Sequence, residues 1–135
     1  NNGEMWAYNI ISGQVSPTIS GSNCLSQHYD QFLNALIYLD AYDLKIHYLD
    51  SLFSKTIIQQ LPYSDNCIVG QVTAYNPVAG QYFYFAYHWT GGLPDDLHWV
   101  VVDIYSKAII LDSIVPSSLS VGSLVYSEVS NKYYR

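Results

Sequence analysis

A chain of 135 residues, half of them apolar, is long enough for one domain that buries roughly two-thirds of its unfolded surface. The net charge is −6, and the basic residues Lys45, Lys55, Lys107, Lys132 and Arg135 are scattered. No basic stripe is present to neutralise phosphates, and no apolar run approaches the roughly 20 residues of a membrane span, so neither nucleic acid nor a membrane span is expected.

Residues 4–11 read as a first strand or an extended lead-in. Residues 12–23 read as loop, because Gly13, Pro17 and Gly21 interrupt any period. Cys24 then opens a helical pattern: Leu25, Tyr29, Phe32, Leu36 and Leu39 are spaced 4, 3, 4 and 3, one apolar face of a helix. Ser22 or Asn23 can cap it. Residues 44–60 read as a second helix, ended by Pro62.

After Pro62 the period becomes that of strands. Residues 67–75 read as a strand, 76–80 as a turn with Pro77 and Gly80, and 81–89 as a strand apolar on both faces. Residues 97–103 and 108–112 form a β-hairpin. Residues 121–129 are a last strand and 131–135 a tail. The expected fold is α+β, with N-terminal helices packed on an antiparallel β-sheet in a single domain over residues 1–135. No internal repeat and no linker stands out. Fourteen tyrosines against 12% charged residues suit a contact surface and equally suit β-strands.

Three side chains suggest chemistry. Cys24 at a helix N-terminus would have its thiol pKa lowered by free N–H groups. His98 begins a core strand, where a general base would be held rigidly, with Trp99 as an aromatic shield. Asp112 closes the next strand and could fix the imidazole tautomer. Each also has an ordinary reading: a buried thiol, a strand-end histidine and a turn-forming aspartate.

The hairpin sets a geometric condition. A two-residue turn at Ser106 and Lys107 puts Asp112 opposite Val101, on the face away from His98. A three-residue loop puts it opposite Val100, on the face of His98. The set therefore needs an odd-length loop or a bulge. Asp103 lies on the other face and is the poorer partner.

Cys24, His98 and Asp112, in that order, resemble the papain-like superfamily of cysteine hydrolases. The chain is most similar to its compact bacterial members: bacteriocin-processing peptidases, papain-fold toxin domains and effector glutamine deamidases. The segments from His98 to Asp103 and from Leu111 to Ser113 are also similar to the His-Trp and Asp-Ser segments of SUMO-type proteases, although there the cysteine follows the aspartate. The resemblance implies a papain-like fold and a Cys-His-Asp triad acting on an amide through a thioester, as peptidase, deamidase or transglutaminase. The family's oxyanion glutamine has no counterpart, since Thr18 occupies its place. Asn23 or Gln14, with the Cys24 N–H, would serve instead. A protein or peptide substrate, an immunity or inhibitor protein covering the cleft, and no cofactor are implied. The non-Met start at Asn1 suits a processed or excised domain, secreted or delivered into a target cell as a toxin or effector.

Two alternatives stand beside this. One is a secreted, non-enzymatic binding module with Cys24 and Cys67 bridged. The other is a catalytically dead papain-like docking domain. A metal site begun by Cys24 and His28, completed by Cys67, His47 or His88, has no recognised ligand spacing, and no metal is expected.

Overall fold

The computed structural model describes residues 4–5, 11–13, 15, 19–20, 24–40, 44–50, 54–60, 67–89, 94–116, 125–127 and 129–134. These form twelve strands and, among the described residues, no helix. The first two are β1 (Glu4–Met5) and β2 (Ile19–Ser20). A first four-stranded group follows: β3 (Cys24–Asp30), β4 (Ala35–Asp40), β5 (Lys45–Leu49) and β6 (Lys55–Gln60). A second comprises β7 (Cys67–Asn76), β8 (Gln81–Trp89), β9 (Pro94–Asp103) and β10 (Ala108–Val115). The last pair is β11 (Val125–Ser127) and β12 (Lys132–Tyr134). Among the described residues, no helix is long and apolar enough to cross a membrane.

Every neighbouring pair is antiparallel and consecutive in sequence. The sheets run β3-β4-β5-β6 and β7-β8-β9-β10, with two-stranded sheets β1-β2 and β11-β12. The α+β, papain-like expectation with N-terminal helices is therefore overturned: the chain folds into antiparallel sheets.

The physical reason lies in the turns. The expected helix over 24–39 is a hairpin. Asp30 Oδ1 accepts from the N–H groups of Phe32 and Leu33 at 2.7 and 2.8 Å, and Asn34 closes the turn at φ +49°. Such an Asx turn gives the backbone an alternative to helical hydrogen bonds. Tyr29 and Phe32, counted on the helical face, are exposed, while Ala35, Ile37 and Leu39 alternate into the core. The expected helix over 44–60 is likewise the β5–β6 hairpin, where the Asp50 carboxylate accepts from the Ser54 N–H at 2.8 Å.

The same turn recurs. Asn76 Oδ1 accepts from Val78 and Ala79, and Gly80 closes at φ +63°. Asp103 Oδ1 accepts from Tyr105 and Ser106, and Lys107 closes at φ +57°. Ser127 Oγ accepts from Ser130, and Asn131 closes at φ +51°. Tyrosine precedes the capping residue at the end of each first strand: Tyr29-Asp30, Tyr75-Asn76 and Tyr126-Ser127. Between third and fourth strands, Asp103-Ile-Tyr-Ser-Lys107 matches Asp50 and Ser54-Lys55, with one residue more. The chain does contain an internal repeat, a four-stranded meander of about 40–50 residues.

The units stack face to face. Ile37, Leu39, Ile46 and Ile58 of the first sheet share a core with Tyr82, Tyr84, Val100 and Val102 of the second. On the opposite face of the second sheet, Phe83 and Val101 pack with Trp99 and with Tyr133 of β12. With both faces covered, β8 is buried from Tyr82 to Ala86, which explains its unbroken aromatic and apolar run. The first strands of the successive units lie side by side, β3 against β7 and β7 against β11.

Candidate functional site

Strand β9 carries His98 opposite Ala86 of β8, on the face turned towards the first sheet. The β9–β10 turn is a four-residue loop, 104–107, which alone would leave Asp112 on the wrong face. A β-bulge at Ile110 corrects the register, so that Asp112 lies opposite Val100. His98 Nδ1 then meets Asp112 Oδ1 at 2.7 Å, with both side chains partly exposed. A carboxylate only accepts, so Nδ1 carries a hydrogen. Asp103 faces elsewhere and caps its own turn; the Ser106 N–H, and then that of Tyr105, hold its carboxyl below the usual range against a smaller opposing effect of burial.

The remaining residues of the expected set are placed differently. Cys24 is the first residue of β3, paired with Asp40 on the edge of the first sheet. It heads a strand, so the helix N-terminus that would have lowered its thiol pKa is absent. Its side chain, like that of Cys67, is outside the described residues. Strand β3 meets the second sheet at β7, and β8 separates β7 from the strand of His98. Trp99 points to the other face of β9, against Phe83 and Phe85 with ring centroids 6.2 and 5.9 Å away, and does not shield His98. Gln14 and Asn23 lie outside the described residues. No group of three potential metal-ligating side chains occurs among the described residues.

A second cluster forms where the first strands converge. Asp30, fully buried, spends one oxygen on its turn and offers the other to the hydroxyls of Tyr75 and Tyr105, the latter at 3.0 Å. Burial pushes the Asp30 carboxyl up, but the bonds from Tyr75, Leu33, Tyr105 and Phe32 outweigh it and hold its pKa below the ordinary value. Burial, reinforced by that bond, drives the Tyr75 hydroxyl far above its usual range, so it stays a donor.

Beside this node, His28 Nε2 lies 2.9 Å from Thr73 Oγ1. Burial lowers its pKa, which favours the neutral ring. The Tyr82 ring stands edge-on to it, centroids 5.6 Å apart. His28, Ala74, Tyr75, Val125 and Tyr126 line a depression of about 270 Å³. His28, Ala74 and Val125 hold equivalent positions in three successive units, two residues before the capping Asx or Ser, and Tyr75 and Tyr126 are the residues directly before it in the second and third. Sequence reasoning missed this cluster, although the thrice-repeated Tyr-Asx or Tyr-Ser pair was there to find it.

No protein-family model matches the chain, and no curated protein is significantly similar to it.

Proposed function

We propose that the chain is a run of β-propeller blades acting as a non-enzymatic binding module, with its ligand seated where β3, β7 and β11 converge. Four-stranded antiparallel meanders repeated around a common line of first strands are the construction of a propeller. The observation that carries the reading is that three successive units contribute one equivalent position each to one depression, His28, Ala74 and Val125, with Tyr75 and Tyr126 beside the last two.

The lining contains two phenol rings and a neutral imidazole, and no charged side chain. Aromatic faces take up the non-polar face of a ligand, while hydroxyls and imidazole bond its polar edge. A small uncharged hydroxyl-bearing molecule, such as a monosaccharide, fits that chemistry. Ligand-observed NMR against a panel of neutral sugars tests it. Binding that weakens at least tenfold in Tyr126→Ala, about 1.4 kcal/mol, and also in His28→Ala is expected. A panel without a binder, or binding indifferent to both substitutions, would sink the reading.

The 2.7 Å contact of His98 with Asp112 favours a second reading, a cysteine hydrolase with Cys24 as nucleophile. It predicts fast, selective alkylation of Cys24 by iodoacetamide, slowed by His98→Ala. A labelling rate unchanged by that substitution removes it.

A further inference from the structure

We infer that one end of the stacked sheets docks on the surface of a phospholipid bilayer, with the tips of the strand-joining turns immersed at the level of the headgroups. The inference uses the four-stranded repeat and not the ligand of the depression, so it stands apart from the sugar reading.

The tips share one position. Where a turn closes on a residue of positive φ, the residue two before it is apolar or aromatic: Phe32 before Asn34, Val78 before Gly80, Tyr105 before Lys107 and Val129 before Asn131. Ile11 stands before Gly13 in the same way. Turns ordinarily carry Gly, Pro, Asn, Asp or Ser, and the Asx caps bond only backbone N–H groups here, so the fold itself requires no large side chain at this position. Nor are these core residues. Phe32 and Val78 are 69% and 71% exposed, Val129 is fully exposed, and Leu33 beside Phe32 is exposed as well.

The topology brings four of these tips to one end. Strands of a meander alternate in direction, so the turn after the first strand and the turn after the third lie at the same end. The ends of successive units are also level, because His28, Ala74 and Val125, each shortly before its turn, line one depression. Tyr105 joins two of the tips. Its hydroxyl reaches Asp30, two residues from Phe32, and its ring lies where a Cβ on Gly80 would be, two residues from Val78.

A bilayer suits this array better than a protein face does. Stacked sheets lie about 10 Å apart, so the tips of successive units are separate apolar points at one level, and a globular partner would need a pocket for each. A bilayer interface takes up separate apolar side chains at a common depth and favours aromatic ones. The charges agree with an anionic surface. Lys107 and Lys132 are exposed beside the tips of Tyr105 and Val129, and basic residues at such a surface are attracted to acidic headgroups. The carboxylates described at this end are turned onto their own loops: Asp30 onto Phe32 and Leu33, Asp50 onto Ser54, Asp103 onto Tyr105 and Ser106. The exposed Asp96 lies near the start of β9, at the opposite end. At ~3.3 Å per residue it is about 25 Å from the tips, well beyond the ~8 Å screening length of physiological salt.

Flotation with phosphatidylcholine vesicles containing a minor share of phosphatidylglycerol tests this. The full chain should rise with the vesicles. Phe32→Ser, Val78→Ser and Val129→Ser combined should weaken partitioning about tenfold or more. Ile114→Ser, at a comparably exposed residue near the far end of β10, should leave it unchanged. Phe32→Trp keeps the tip apolar, and brominated acyl chains should quench the emission it adds. Protein that stays with the buffer, partitioning indifferent to the triple substitution, or partitioning lost equally in Ile114→Ser would overturn the inference. So would light scattering that shows self-association abolished by the triple substitution, with no vesicle binding, since the tips would then belong to a contact between two copies.

Discussion

Asp30 of the first unit accepts a hydrogen bond from the hydroxyl of Tyr105, 75 residues further along the chain, at 3.0 Å. Tyr75 reaches the same carboxylate oxygen. One buried carboxylate therefore shapes its own turn and ties its unit to two places in the next. A hydrogen bond to a charged acceptor is worth about 1.5–3 kcal/mol, and a buried acceptor left unsatisfied costs more than a lost bond. Tyr105→Phe should therefore destabilise by about 1 kcal/mol, at the low end because the ring is 46% exposed. Tyr75→Phe should cost about 2 kcal/mol and Asp30→Ala about 3 kcal/mol or more. Urea denaturation of Tyr105→Phe, Asp30→Ala and the variant combining them gives the coupling. If Tyr105→Phe costs the same in the Asp30→Ala background, the contact is decorative.

Gly80 permits this tie. It closes the β7–β8 turn at φ +63°, a conformation glycine adopts freely and alanine does not. A Cβ there would overlap the Tyr105 ring, and the Gly80 carbonyl accepts from the Ile104 N–H at 2.9 Å. Gly80→Ala should cost more than the roughly 1 kcal/mol of backbone strain alone, because the ring must leave the place from which its hydroxyl reaches Asp30. Combining Gly80→Ala with Tyr105→Ala should recover part of the loss. A double variant as unstable as the sum of the two singles would show that the ring is not the obstacle.

How much of this was legible beforehand differs from element to element. The bounds of β8 could be read because 81–89 is flanked by turn residues and apolar on both faces. The condition on Asp112 could be read because strand faces alternate strictly, and a bulge supplied what an even-length loop could not. The stretch over 24–39 misled because a strand, a four-residue turn and a second strand happened to space five apolar residues like a helix. The decisive signal was local, an Asp30 able to cap a turn and an Asn34 able to close it, and it competed with a period two of whose members, Tyr29 and Phe32, proved exposed. The repeat was hidden for a related reason. Its units are held in common by turn chemistry and the tyrosine before each cap, while core positions exchange Ile, Tyr, Phe and Val freely, as shape-filling residues can.

Acid should destabilise the protein in two stages. Burial lowers the His28 pKa from its ordinary value of about 6.5, so the unfolded chain takes up a proton at a pH where the folded chain refuses it. Stability is then complete above about pH 6.5 and falls as pH drops towards the folded value. The Asp30 carboxyl also lies below its ordinary value of about 3.9; its contribution is present above that pH and is lost as pH falls through the folded value. Melting temperature should hold between pH 8 and 7, decline below about 6.5, and decline further below about 4. His28→Gln should flatten the first decline and leave the second. A first decline that survives His28→Gln would assign it to another histidine.

The pair of His98 and Asp112 gives the last expectation. Both side chains keep contact with water, and exposed pairs contribute about 0–1 kcal/mol. Asp112→Asn should therefore shift stability by less than about 1 kcal/mol while changing the imidazole itself. A carboxylate at 2.7 Å fixes the hydrogen on Nδ1, whereas an amide can offer a donor or an acceptor and relaxes that choice. The nitrogen chemical shifts of His98 should report Nδ1–H in the native protein and a tautomer mixture in Asp112→Asn. Deleting Ile110 makes the assignment specific. It removes the bulge yet leaves Asp112 opposite Val100, so the native tautomer should persist. If the deletion scrambles the tautomer, the pairing depends on the bulge's own geometry and not on the face it selects.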